Sequence, residues 1–224
     1  MAEVALIFDL DGTLIDSAPD IHAAVNLVMT EAGIPPFAAS EVRGFIGNGV
    51  EILIQRCVNA RGLANDTALQ QSLTARFLAV YETAHTLTIL YPNVAKVLAA
   101  LPNPLAICTN KPEAPTRSVL AHFGLSGHFA VVVGGDTLAV KKPDPTPLRE
   151  TIRRMGAPPA LFIGDSEVDA ATARAADVPF VLFTLGYRKT PADQMGAVAQ
   201  FDDWRALPDI VARLTGHPQP RTIL

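Results

Sequence analysis

The chain has 224 residues, 49% of them hydrophobic and 18% charged, and a formal net charge of −4. That length leaves room for one large domain or two smaller ones. The acidic balance excludes nucleic acid as the main partner, because a phosphate backbone calls for surplus Lys and Arg; one phosphate on a small molecule needs only a few local cations and amides.

Val4 to Phe8 is a short apolar run that stops at the polar turn Asp9-Leu10-Asp11-Gly12-Thr13, and it predicts a buried strand feeding a loop. The run lacks a basic flank and is not read as a signal peptide. No apolar stretch approaches the roughly 18 residues of a membrane span. A soluble, cytoplasmic protein is the expectation.

From Asp16 to His85 the pattern turns helical, with no strand expected. Helices are predicted over about Asp20 to Glu31, Glu41 to Phe45, Val50 to Ala60 and Asp66 to Tyr81. Turns at Gly33-Ile34-Pro35-Pro36, Gly47-Asn48-Gly49 and Arg61-Gly62-Leu63 separate them. Apolar runs then recur at Leu105 to Cys108, Ala130 to Val133, Leu161 to Ile163 and Val178 to Phe183. Helical patterns lie between them at Glu113 to Phe123, Thr146 to Met155 and Glu167 to Ala176.

Strands alternating with helices predict an α/β fold, a doubly wound parallel (Rossmann-like) sheet with ligands at the carboxyl ends of its strands. The helical block predicts a small all-helical cap domain inserted at 16–88, with the core made of 1–15 and 89–224. The tail His217-Pro218-Gln219-Pro220 reads as a frayed terminus. Cys57 and Cys108 are too few for a disulfide framework, and Cys108 reads as a small buried hydrophobe. The five histidines lack ligand spacing, and no zinc pattern is present.

Asp9 and Asp11, two residues apart at a strand's end, cannot both be buried unpaired. A hard divalent cation resolves that conflict, and Mg²⁺ takes one or two carboxylates plus waters and phosphate oxygens. Asp165, at another strand's end, can complete the ligand set, and Asp169, one turn into the next helix, can support the metal indirectly. Thr109 offers a hydroxyl and the amides after it to a phosphate oxygen. Lys142, in Lys141-Lys142-Pro143-Asp144-Pro145, offers a point charge. Gly12 gives the tight turn, and Thr13 can bond the nucleophile or its loop. Each alone would also serve as a strand end, a helix cap or a solvated surface residue.

As a set in chain order, these stretches resemble the four signatures of the haloacid-dehalogenase-like superfamily: Asp9-Leu10-Asp11-Gly12-Thr13, Thr109, Lys142 before Pro143, and Gly164-Asp165-Ser166-Glu167-Val168-Asp169. The resemblance implies that Asp9 attacks phosphorus and that Asp11 handles the proton. It implies Mg²⁺ on the Asp9 carboxylate, the Asp11 carbonyl and Asp165, and a phosphoryl clamp of Thr109, Asn110 and Lys142.

Closer stretches are similar to bacterial phosphoglycolate phosphatases: Leu14 to Asp20 continuing the first signature, Ile46-Gly47-Asn48-Gly49, Thr109-Asn110-Lys111-Pro112, Gly134-Gly135-Asp136 and Lys142-Pro143-Asp144-Pro145. The activity so implied is hydrolysis of 2-phosphoglycolate, a small-molecule monoester, by a monomer or small homo-oligomer. The alternatives are a phosphatase of other small monoesters such as sugar phosphates, or a non-catalytic phosphate-binding protein. Asp11 argues against a dehalogenase, and 16–88 holds no lysine for a Schiff base. Asp177 stands where the family usually has glycine. For the second anion of the substrate, the turn Gly47-Asn48-Gly49 and Arg43 are the cap candidates.

Overall fold

The computed structural model describes residues 4–64, 66–82 and 84–216; the tail from His217 lies outside them. The first strand, β1 (Ala5–Phe8), is buried along its whole length. A strand covered on both faces has no polar side to show, hence its unbroken apolar run. A two-residue strand β2 (Ile15–Asp16) follows. Four helices come next: α1 (Ala18–Glu31), α2 (Ala39–Phe45), α3 (Val50–Ala60) and α4 (Thr67–Tyr81). The chain returns through β3 (Ile89–Leu90) and α5 (Val94–Ala100).

The remainder alternates: β4 (Leu105–Cys108), α6 (Glu113–His122), β5 (Phe129–Val133), α7 (Thr146–Arg154), β6 (Ala160–Gly164) and α8 (Glu167–Ala176). It ends with β7 (Phe180–Phe183), β8 (Ala199–Phe201) and α9 (Leu207–Thr215).

Among the described residues the main sheet has the order β5-β4-β1-β6-β7-β8, every pair parallel. Successive residues of β1 serve opposite faces. Leu6 and Phe8 pack with Val97 and Leu98 of α5, Val119 of α6 and Ile210 of α9. Ile7 packs with Leu148 of α7 and Ala173 of α8. This is the expected doubly wound sheet. Cys108 is buried on the second face, and burial pushes its thiol up to about 12.

Helices α1 to α4 carry a separate apolar cluster, with Val25, Met29, Val42, Ile54, Cys57 and Phe77 at its centre. The antiparallel ribbon of β2 and β3 pairs Ile15 with Leu90 and Asp16 with Ile89, where the chain leaves and rejoins the sheet. Asp20, in the first turn of α1, reinforces that junction: its Oδ2 accepts from the Leu87 and Thr88 amides and the Thr88 hydroxyl at 3.0, 2.6 and 2.6 Å. The ribbon flanks the helical stretch at positions where the sequence predicted no strand; two residues are too short to show a period of two.

Asp177 ends α8 with φ 60° and ψ 43°, the left-handed conformation expected there. Asp tolerates it better than most residues without being glycine.

Candidate active site

Three neighbouring strands, β4, β1 and β6, end in Thr109, Asp9 and Asp165. All three side chains are buried. Asp165 is fixed most tightly. Its Oδ1 accepts the Thr13 hydroxyl at 2.9 Å and its Oδ2 accepts the Tyr187 amide at 2.6 Å. Two glycine backbones press against the same carboxylate. A Cβ on Gly12, whose φ is +89°, would lie 2.5 Å from Asp165 Oδ2, and one on Gly186 would lie 2.2 Å from it. Neither position has room for a side chain.

Asp169 is both a helix cap and a charge partner. In the first turn of α8 its Oδ2 accepts the Ser166 amide at 3.0 Å, and the Ser166 hydroxyl oxygen accepts the Asp169 amide in return. Its Oδ1 accepts Lys142 Nζ at 2.6 Å. Lys142 Nζ also stands 2.9 Å from Asp9 Oδ1. That contact is an ion pair, and among the described residues no other group reaches this buried Asp9 oxygen.

One oxygen from each of Asp9, Asp165 and Asp169 lies within 4.8 Å of the others. Lys142 pairs with two of these three buried carboxylates and no ammonium pairs with Asp165 among the described residues, so the cluster is short of positive charge. Burial pushes Asp9 up to about 6, with Lys142 pulling against it and Asp169 pushing with it. Asp165 is raised well above the carboxylate range, again by burial first and then by Asp169 and Asp9. Lys142 shows the complement: burial would lower it, but Asp169 and Asp9 overcome this and hold it firmly charged. Three clustered buried carboxylates, all hard oxygen donors, fit a divalent cation.

Asp11 faces the helical block. Its Oδ1 accepts the Ser17 hydroxyl at 2.6 Å and lies 3.3 Å from Lys111 Nζ. Lys111 is buried and also donates to the Tyr81 hydroxyl on α4. Two cavities meet at Asp9, Asp11, Ile46 and Gly47. One, of about 50 Å³, lies under α1, α3 and α4; the other, of about 280 Å³, opens past Asn48, Arg56, Asp165 and Lys189.

Asn110 ties three loops together. Its Oδ1 accepts the Lys142 amide at 2.9 Å, and its Nδ2 donates to the carbonyls of Lys142 and Gly47 at 2.9 and 3.1 Å. The Thr109 hydroxyl accepts the Lys111 amide at 3.2 Å, which leaves its own proton to donate. Gly47 and Gly49, at φ +121° and +84°, bring the turn before α3 over this loop. Asn48 accepts from Arg56 at 2.8 Å. Arg43 has other partners: it donates to the Gly186 carbonyl at 3.2 Å, lies 3.7 Å from Asp16 and stacks 4.6 Å from the centre of the Tyr187 ring.

A family model for haloacid dehalogenase-like hydrolases matches residues 4–177, which includes every strand end just described. The chain belongs to that family. As a haloacid dehalogenase-like hydrolase it is 47% identical over 213 residues to a protein of Cereibacter sphaeroides named phosphoglycolate phosphatase, covering 93% of this chain and 98% of that one. A protein of the same name from Rhodospirillum rubrum is 43% identical, covering 96% and 92%. A crystal structure from Haemophilus somnus, described as a predicted phosphoglycolate phosphatase, superposes with a TM-score of 0.86 at 31% identity, covering 92% of this chain and 97% of that one.

Within this hydrolase, several side chains at the site carry no sequence signal of their own. The Tyr187 hydroxyl accepts the Ser17 and Ala18 amides at 2.9 and 3.0 Å and donates to Asp16 at 2.8 Å. A partner 170 positions away leaves no local pattern. Lys111 stands inside the Thr109–Pro112 stretch, but its partners Asp11 and Tyr81 come from other elements.

Proposed function

We propose that this chain is a magnesium-dependent phosphatase that hydrolyses 2-phosphoglycolate to glycolate and phosphate through an aspartyl-phosphate on Asp9. The observation that carries the mechanism is Asp9 itself: a buried carboxylate at a strand end, in a cluster with Asp165 and Asp169, whose Oδ1 has the Lys142 ammonium beside it. The names of the Cereibacter and Rhodospirillum relatives support the substrate. In this reading 16–88 is a cap over a core of 1–15 and 89–224, and the enzyme works in the cytoplasm.

Asp9 attacks phosphorus in line, the ester P–O bond breaks, and Asp11 gives its proton to the departing glycolate oxygen. Ionised Asp11 then takes a proton from the water that attacks phospho-Asp9, and inorganic phosphate leaves. Lys142 and the Thr109 hydroxyl hold the transferring oxygens, while Asn110 keeps the Lys142 and Gly47 loops in register with them. Asp9 and Asp165, with the Asp11 carbonyl, would hold Mg²⁺, and Asp169 would hold Lys142 beside them. The bound ion supplies charge neutralisation for the phosphoryl oxygens.

The test is a panel of phosphate monoesters assayed with the purified protein in Mg²⁺. The reading expects kcat/KM for 2-phosphoglycolate to stand at least tenfold above ethyl phosphate and the hexose phosphates. A sugar phosphate at the head of the ranking would replace the substrate and leave the Asp9 chemistry in place.

A further inference from the structure

We infer that Lys111 is the residue that selects the substrate, by binding the carboxylate of the leaving group; this rests on the 2-phosphoglycolate reading above. Three observations converge on it. The cavity under the helical block is small, about 50 Å³. At one water per roughly 10–15 Å³ on this measure, it takes a fragment of a few heavy atoms, while the second cavity, of about 280 Å³, opens from the same Asp9 and Asp11. Its walls are largely apolar, with Ile21, Ile46, Val50, Leu53 and Phe77 contributed by the helices or the turn before α3, and Lys111 is the single cation on its lining.

The second observation is position. Lys111 Nζ stands 3.3 Å from Asp11 Oδ1, and Asp11 is the group that meets the leaving oxygen in the proposed mechanism. In 2-phosphoglycolate one methylene separates that oxygen from the carboxylate. A cation beside Asp11 is therefore placed for the second anion while Lys142, 2.9 Å from Asp9 Oδ1, serves the first.

The third is the cost of the lysine. Its side chain is 4% exposed and stands 3.3 Å from the Asp11 carboxylate. Its partners are Asp11 and the Tyr81 hydroxyl, so one of its three N–H donors remains beyond them. A desolvated ammonium on an otherwise apolar wall is a strong site for a carboxylate, because water competes little there. Arg43, the cap candidate from the sequence, has its guanidinium on Asp16, Gly186 and Tyr187 instead. Tyr81 comes from α4, so the helical block also fixes where the ammonium points.

The experiment compares wild type with Lys111→Met and Lys111→Gln on 2-phosphoglycolate and on ethyl phosphate, which keeps the ester and lacks the carboxylate. Glycolate inhibition of ethyl phosphate hydrolysis is measured alongside. One charged hydrogen bond corresponds to about 10- to 150-fold, so kcat/KM for 2-phosphoglycolate should fall by that range. The fall should exceed that on ethyl phosphate at least tenfold, and glycolate should cease to inhibit. Equal falls on both substrates, with glycolate inhibition kept, would overturn the inference and make Lys111 a support for Asp11 or for the fold. A wild type that does not prefer 2-phosphoglycolate to ethyl phosphate overturns the substrate reading and this inference together. A wild type that does, with the preference surviving in either variant, overturns this inference alone. If Lys111→Met does not fold, the isosteric Lys111→Gln gives the same readings.

Discussion

The floor of the site and its roof are built on different principles. The floor is Asp9, Asp165, Asp169 and Lys142 at the ends of adjacent strands, each buried, with backbone amides and glycine faces setting their positions. The roof is α1 to α4, which have their own apolar cluster and reach the floor through a few polar contacts. Those contacts are Gly47 to Asn110, Tyr81 to Lys111, Glu51 to Lys141, and Arg43 to Gly186 and Asp16. The floor is rigid because its charges have no alternative to one another. The roof is joined by a few separate contacts, from the buried Tyr81–Lys111 bond to the solvent-facing Glu51–Lys141 pair, the last of them worth little on its own. A phosphate needs the first; distinguishing one small phosphate from another needs the second.

Substitutions in the floor should therefore cost far more than substitutions at its junction with the roof. Asp9→Asn should lower kcat by about a thousandfold or more with an unchanged circular dichroism spectrum, since an amide is not a competent nucleophile. Chelation should take wild-type activity to background. Mg²⁺ should restore it, while Ca²⁺, with longer bonds and more ligands, should not.

A smaller effect is expected from Gly186→Ala. Its Cβ would meet Asp165 Oδ2 at 2.2 Å, and the displaced carboxylate should cost about 1–3 kcal/mol of stability in urea unfolding. It should also raise the Mg²⁺ concentration needed for half-maximal activity.

The charge shortage predicts a pH dependence with a definite sign. The folded state holds the Asp9 proton up to about pH 6, against an ordinary value near 3.8. Between those values the folded form binds the proton and the unfolded form does not, so metal-free stability falls as pH rises, by up to about 3 kcal/mol. Asp9→Asn should reduce the slope in denaturant titrations at pH 4 to 7, leaving the part that the raised Asp165 contributes. Mg²⁺ should stabilise wild type more at pH 7.5 than at pH 5.

The smallest effect belongs to Arg43→Ala. Its partners are a half-exposed ion pair and one carbonyl, so kcat/KM should fall about 2- to 5-fold, equally on 2-phosphoglycolate and ethyl phosphate. A loss confined to 2-phosphoglycolate would move the carboxylate site from Lys111 to Arg43 and revise the comparison.

Most of the floor was legible in the sequence because strand ends announce themselves. An apolar run followed by Asp9 or Asp165 marks both the strand and the position where its side chain emerges. The helical block was legible from its 3.6-residue spacing and its glycine turns. What escaped is short or remote. The ribbon of Ile15–Asp16 with Ile89–Leu90 and the three-residue strand Ala199–Phe201 are below the length at which periodicity shows. Val94–Ala100 is two turns of helix, and Leu207–Thr215 is nine residues long, with Leu207, Ile210, Val211 and Leu214 at helical spacing that the sequence reading passed over. Tyr187 and Lys111 owe their roles to partners from distant segments, which no local motif encodes.

The central claim is that Asp9 carries the phosphoryl group between the two chemical steps. Rapid acid quenching of a single turnover with labelled 2-phosphoglycolate, followed by peptide mapping, tests it directly. The label should appear on the peptide containing Asp9, should be released by hydroxylamine as acyl phosphates are, and should be absent from Asp9→Asn. Release of phosphate at the full single-turnover rate with no label on that peptide at any time point would contradict the account.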